Sequence, residues 1–131
     1  MGYGVKETEL FLWLKTEMPD LEHSPNEFDG FDCATQQYGM FIELKSRNTH
    51  YDTLLLERKK YDFLTTTATA LGFRPYYINS TPDGVWRFAL DELTDLVWEE
   101  KWLPVTTEFL NKSKIMKEVT FLHTNLGVKI K

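Results

Sequence analysis

The sequence predicts a single α/β domain, and three observations carry that expectation. A segment near the start has helical amphipathicity, two pairs of short alternating apolar runs read as β-hairpins, and a second helical stretch separates those pairs. The length of 131 residues is one domain's worth. With 42% hydrophobic, 27% charged and 15% aromatic residues, the chain has the composition of a globular protein and not of a disordered, collagen-like or coiled-coil one. The longest apolar run, Leu10–Leu14, falls far short of the ~20 residues that cross a bilayer. Met1–Lys6 holds no basic segment leading into an apolar one, and the lone Cys33 excludes an internal disulfide framework. The expected setting is intracellular and reducing, with no membrane partner.

The first helix is expected over about Val5–Met18. Leu10, Phe11, Leu14 and Met18 fall on one side at helical spacing, and Glu7 lands within that apolar arc while Glu9 points away. Pro19–Asp20 and Ser24–Pro25–Asn26 supply turn chemistry. Two alternating runs follow, Phe28–Thr35 and Met40–Ser46, around Gln36–Gln37–Tyr38–Gly39. Matching the apolar Phe31 and Cys33 with Leu44 and Ile42 fixes the register, and that register sets Asp32 opposite Glu43. A slip of one residue would set Asp32 against Leu44.

A second helix is expected over Leu55–Leu71, with Tyr61, Leu64, Ala68 and Leu71 inward and Gly72 as its stop. Arg74–Asn79 and Val85–Leu90 flank the turn Thr81–Pro82–Asp83–Gly84. A third helix is expected over about Asp91–Trp102, ending before Pro104. Residues 1–104 thus read as the core. Residues 105–131 read as an extension packed on the same domain, with a strand near Val119–His123.

The net charge of −5 argues against nucleic-acid binding by a uniform basic coat. It leaves room for a metal-dependent nuclease, which needs acids at its centre and a local basic rim. Lys45, Arg47, Arg58, Lys59 and Lys60 form one candidate rim, and Lys112, Lys114 and Lys117 a second. The pattern acid–any–Lys also occurs at Glu57–Lys59 and Glu99–Lys101, in segments read as helical and solvated. Only Glu43–Leu44–Lys45 lies on a strand beside an acid of the partner strand, with the further acid Glu7 on the core face of the preceding helix. Mg²⁺ takes hard oxygen ligands, usually one or two carboxylates with waters and phosphate. Asp32 and Glu43 supply carboxylates, Leu44 offers its carbonyl, and Glu7 can reach the ion or its water shell. Lys45 can orient or deprotonate a water, or offset phosphate charge.

The remaining chemistry-bearing residues read as structural. His23, His50 and His123 share no ligand spacing, Cys33 alternates onto the core face, and Trp86, Trp98 and Trp102 read first as packing residues. No nucleophile elbow or phosphate-binding glycine loop is present.

The succession of Glu7 on a helix, Asp32 on a strand, Glu43–Leu44–Lys45 on the next and Lys60 on a second helix resembles the PD-(D/E)xK nuclease superfamily. It is most similar to archaeal Holliday-junction resolvases and, more loosely, to phage-type endonuclease I. The likeness runs over about Gly4–Leu93. It rests on Gly4–Val5–Lys6–Glu7 with Leu10 and Leu14, on Phe41–Ile42–Glu43–Leu44–Lys45–Ser46–Arg47, and on Leu56–Glu57–Arg58–Lys59–Lys60–Tyr61. Phe31 stands where the family usually has Pro. The resemblance implies a restriction-endonuclease-like αβββαβ core with a mixed central sheet flanked by helices, dependence on Mg²⁺ or Mn²⁺, and cleavage of branched or duplex DNA. By position, Glu7, Asp32 and Glu43 become metal-associated acids and Lys45 the catalytic lysine. Lys60 becomes an auxiliary contact to phosphate or water, and from the basic rim Arg47, Arg58 and Lys59 join it as candidate nucleic-acid contacts. A virus-encoded resolvase is the leading expectation, homodimeric on the condition that it makes paired cuts on a symmetric junction. A nuclease indifferent to branching, or a catalytically silent binding module, is the alternative.

Overall fold

The computed structural model describes residues 3–23, 31–105 and 113–131. The expected turn Ser24–Pro25–Asn26, the start of the run from Phe28, the side chain of Val5 and Lys112 lie outside the described residues.

Helix α1 spans Tyr3–Glu17 and lays Leu10 and Leu14 into the core, with Phe11 half-buried beside them. A two-residue strand β1 (Glu22–His23) leads to the hairpin β2 (Phe31–Thr35) and β3 (Met40–Ser46). The turn between them uses Gly39 at φ 65, a backbone region open to glycine. Asp20 ties this turn down, accepting from the Thr35 hydroxyl at 2.5 Å and from the Gln37 N–H at 2.8 Å.

Strand β4 (Thr53–Glu57) follows, then helix α2 (Arg58–Leu71) and the hairpin β5 (Arg74–Thr81) with β6 (Gly84–Ala89). The second helix is therefore shorter than expected, because Leu54 and Leu56 alternate into the core as strand residues before the helix begins. Leu64 and Ala68 face inward as expected, and Tyr61 is half-buried, but Leu71 is exposed. The helix stops at Gly72, whose φ of 74 lets its N–H reach the Thr69 carbonyl while the Phe73 N–H reaches Ala68.

The helix expected over Asp91–Trp102 does not form. Leu90–Glu92 makes one 3₁₀ turn, and Glu99–Pro104 is strand β7, paired antiparallel with β8 (Lys114–His123). The spacing of Leu93, Leu96 and Val97 imitates a helix, but pairing with β8 takes the later half of the segment. A short strand β9 (Val128–Lys129) closes the chain on β6.

Six strands form a mixed sheet in the order β1-β2-β3-β5-β6-β9, and three form a second sheet, β4-β8-β7. In the large sheet β3 and β5 run parallel, and the neighbouring hairpins are antiparallel. Because side chains alternate along a strand, β3 sends Met40, Ile42 and Leu44 into the layer under α1. It sends Phe41, Glu43 and Lys45 to the opposite face. There Phe41 joins Leu54, Leu56, Leu64, Tyr77 and Phe88 in the layer between the two sheets and α2. The acidic and basic groups of the site thus come up on the α2 face. Among the described residues, no helix is long and apolar enough to cross a membrane.

Candidate active site

The register that the apolar pattern selects is the one the sheet adopts: Phe31 pairs with Leu44, Cys33 with Ile42, and Asp32 with Glu43. Cys33 points to the α1 layer and is fully buried, and burial first, then the charges of Asp32 and Glu43, push its thiol pKa up. It is a packing residue.

Asp32 is 1% exposed and Glu43 3%. Both carboxyl oxygens of Asp32 and one of Glu43 are buried without a hydrogen-bond donor. Like charges directly opposite on a sheet repel, and buried carboxylates without donors are expensive. Burial accordingly raises the Glu43 carboxyl well above the usual carboxylate range. Lys60 opposes that shift, Asp32 adds to it, and Lys45 pulls it back down.

Lys60 reaches in from the first turn of α2, its Nζ 3.6 Å from Glu43 Oε2. Lys45 stands two residues beyond Glu43 on the same face, mostly buried. Burial pulls its pKa down and Glu7 pulls it up, with Arg47 and Lys60 adding to the downward side. Glu7 is 4% exposed, as its place in the apolar arc of α1 predicts. Its Oε2 accepts from the Ser46 backbone N–H at 3.2 Å, so it holds the end of β3 next to Lys45. Among the described residues no three acid, His or Cys side chains converge on one metal-sized point. The structure therefore brings Asp32, Glu43, Lys45 and Lys60 together and sets Glu7 beside Lys45 rather than inside the carboxylate pair. Leu44 buries its side chain on the far face, leaving only its backbone to this side.

The other cations expected to form a rim separate. Arg47 turns inward: its Nε donates to Asn79 Oδ1 at 3.0 Å, and one terminal nitrogen donates to the Leu55 carbonyl at 2.8 Å and to Tyr77 Oη at 3.1 Å. It thereby joins β3, β5 and β4. Arg58 pairs with Glu118 at 3.1 Å and lies over Trp98, while Lys59 is exposed. Lys117 pairs with Glu57 at 3.2 Å, and Lys114 is exposed. Trp86 packs in the core, but Trp102 is 63% exposed, against the expectation of a packing role.

Two residues that the sequence reading passed over belong to this neighbourhood. Asn79 lies beside Lys45 in the parallel register, is fully buried, and has an amide nitrogen without an acceptor. Tyr77 lies beside Glu43, and burial pushes its phenol up to about 12. The available signal was Asn79 itself, a residue depleted from strands, set in the run Tyr76–Asn79.

No protein-family model and no curated protein matches the chain. Among solved structures it is similar to Hjc, a Holliday junction resolvase from the archaeal hyperthermophile Archaeoglobus fulgidus. The similarity covers 95% of this chain and 92% of that one, at a TM-score of 0.60. The chain has the Hjc fold. The sequences are 17% identical, so what is shared at this level is the mixed central sheet with its two helices.

The orphaned carboxyl oxygens of Asp32 and Glu43 test whether this Hjc-like fold suits a metal. They are hard oxygen donors, face each other and lack protein donors, which is what a small divalent cation requires. The residues present fit the group.

Proposed function

We propose that the chain is a metal-dependent DNA endonuclease that hydrolyses phosphodiester bonds, of the Holliday-junction resolvase kind. One observation carries the reading: two buried carboxyls directly opposite each other, short of hydrogen-bond donors, with two lysines beside them. The Hjc fold supports it independently.

Asp32 and Glu43 would hold Mg²⁺ or Mn²⁺, with the Leu44 carbonyl a further hard oxygen and Glu7, bonded to the Ser46 N–H at the end of the same strand, a candidate for the water shell. Such an ion, when bound, polarises the phosphoryl oxygen and offsets charge developing in the transition state. The chain's own residues do the rest. Lys45, its basicity lowered by burial, takes or holds a proton of the attacking water at Nζ. Glu7 fixes the end of β3 and so the place from which Lys45 acts. Lys60 balances Glu43 before substrate arrives and can turn toward a phosphate oxygen afterwards. Lys59 offers an exposed charge to the DNA backbone, and paired cuts on a symmetric junction would call for a homodimer.

The test is a cleavage panel of supercoiled, linear, single-stranded, flapped and four-way DNA with and without Mg²⁺. The expected result is Mg²⁺-dependent cutting that favours the four-way junction. Equal rates on the junction and its matched linear duplex remove the resolvase assignment and leave the nuclease. No cutting of any substrate, with Mg²⁺ or Mn²⁺, removes the nuclease as well.

A further inference from the structure

A cavity of about 310 Å³ opens where β3 and β5, which run parallel, reach their carboxyl ends at Ser46 and Ser80. In open α/β sheets ligands settle outside the carboxyl ends of parallel strands, and this volume lies at the small end of the ~300–1,000 Å³ typical of small-molecule sites. The cavity is on the α1 side, so it does not contain the carboxylate pair. It adjoins the proposed reaction centre through Ser46, which follows Lys45 and gives its N–H to Glu7.

Its walls are of two kinds. Leu10, Trp13, Pro82 and Val85 give an apolar side. Of the lining side chains Lys6, Arg47 and Lys131 are cationic and Glu9 is acidic, a local excess of positive charge on a chain whose net charge is −5, with the two lysine ammonium groups as its flexible part. Lys131 Nζ lies 4.8 Å from the centre of the Trp13 ring, so a cation and an aromatic surface are presented together, and the Lys6 ammonium is held by Asn48 Oδ1. An anion alone has no use for the apolar wall, and an apolar ligand alone has no use for the lysines. A ligand with a flat apolar part and an anionic part satisfies both.

We propose that this cavity takes a single unstacked nucleotide of the DNA substrate, its base against the Trp13 side and its phosphate between Lys6 and Lys131. This rests on the nuclease reading and sharpens it: the favoured substrate is one in which a nucleotide next to the scissile bond can leave the stack, as at a flap or where strands part at a branch point. An aromatic side chain accepts any base, because every base has a π-face to stack on it.

The experiment titrates the 131-residue chain with thymidine 5′-monophosphate, thymidine and inorganic phosphate separately, without divalent metal, following backbone amide NMR shifts. The nucleotide is expected to saturate shifts at Ser46, Ser80 and Trp13, at least tenfold more tightly than either half. The double variant Lys6→Glu with Lys131→Glu, both exposed positions, is expected to lose at least tenfold in nucleotide affinity, and Trp13→Ala to abolish the advantage of nucleotide over phosphate. Absence of saturable shifts at these residues overturns the proposal, as does equal affinity for nucleotide and phosphate or an unaffected double variant. Because binding is read without metal and without cleavage, a chain that binds the nucleotide but cuts no DNA would sink the nuclease reading alone. A chain that cuts DNA but binds no nucleotide would sink only this one.

Discussion

Asp32 is the residue on which stability and activity pull in opposite directions. Its carboxyl oxygens are buried against Glu43 with no donor, so in metal-free protein Asp32→Asn replaces an unsatisfied acid with an amide that can donate to Glu43. The expected outcome is a gain of about 1–3 kcal/mol in unfolding free energy in EDTA, the range for one badly satisfied buried group. Wild type should in turn be stabilised by Mg²⁺, by about 2.7 kcal/mol at a hundred times its Kd, while Asp32→Asn should show almost no such response. Paired thermal melts with and without Mg²⁺ check both statements, and a wild type indifferent to Mg²⁺ would count against the metal site. Lys45→Ala should keep the fold and lose cleavage by at least a hundredfold, the lower end of what positioned acid–base groups contribute.

The direction of the Glu43 shift sets a pH dependence. A carboxyl whose folded pKa is raised binds its proton more tightly when folded, so the stability it lends is present below the unfolded pKa and is lost as pH rises through the folded value. Mg²⁺ must displace that proton. Metal affinity measured by calorimetry should therefore rise with pH through a window above the ordinary carboxylate range, and Glu43→Gln should flatten the rise. That Asp32 and Glu43 would meet was legible in the sequence, because Phe31, Cys33, Ile42 and Leu44 leave only one register that buries them all. The inward turn of Arg47 was not legible, because a cation two residues beyond Lys45 reads as a surface charge until β4 is known to supply the Leu55 carbonyl.

At the level of elements, Arg47 is what ties the two sheets together under the site. Lysine could not reproduce a fork that meets Asn79, Tyr77 and Leu55 at once, so Arg47→Lys is expected to destabilise by about 2–4 kcal/mol, one or two charge-assisted bonds. Denaturant unfolding measures it. An unchanged midpoint would mean that β4 is held by its pairing with β8, the packing of Leu54 and Leu56 and the Tyr77 hydroxyl's bond to the Leu55 carbonyl. Periodicity located α1, the β2–β3 hairpin and the β5–β6 hairpin because each alternates or repeats cleanly over its own length. It failed at β4 and β7 for one physical reason. Both are short runs next to a helical pattern, and their strand character comes from β8, which lies beyond each of them in the chain and far beyond β4.

Over the whole molecule, the acidic balance limits how DNA can be held. The exposed or half-exposed cations around the proposed site and cavity, Lys6, Lys59, Lys60 and Lys131, would give roughly four phosphate contacts per chain. The logarithm of DNA affinity should then fall with the logarithm of salt concentration at a slope of about −3 to −4. Filter binding of a Lys45→Ala chain across a salt series reads this slope; a value near −10 would require a basic surface that these cations do not provide. The overall α/β plan was readable from the order of periodic segments, whereas the division into a six-stranded and a three-stranded sheet was not, since it depends on which distant strands find each other.

The position of β3 has one more effect. It is bonded on one side to β2 and on the other to β5, in the interior of the large sheet, yet it carries the carboxyl that is least at ease without a counter-ion. Amide hydrogen exchange of Ile42–Lys45 should consequently slow on adding Mg²⁺ more than that of the equally buried β6. A strand that ordinarily opens last would thus report the supply of the ion.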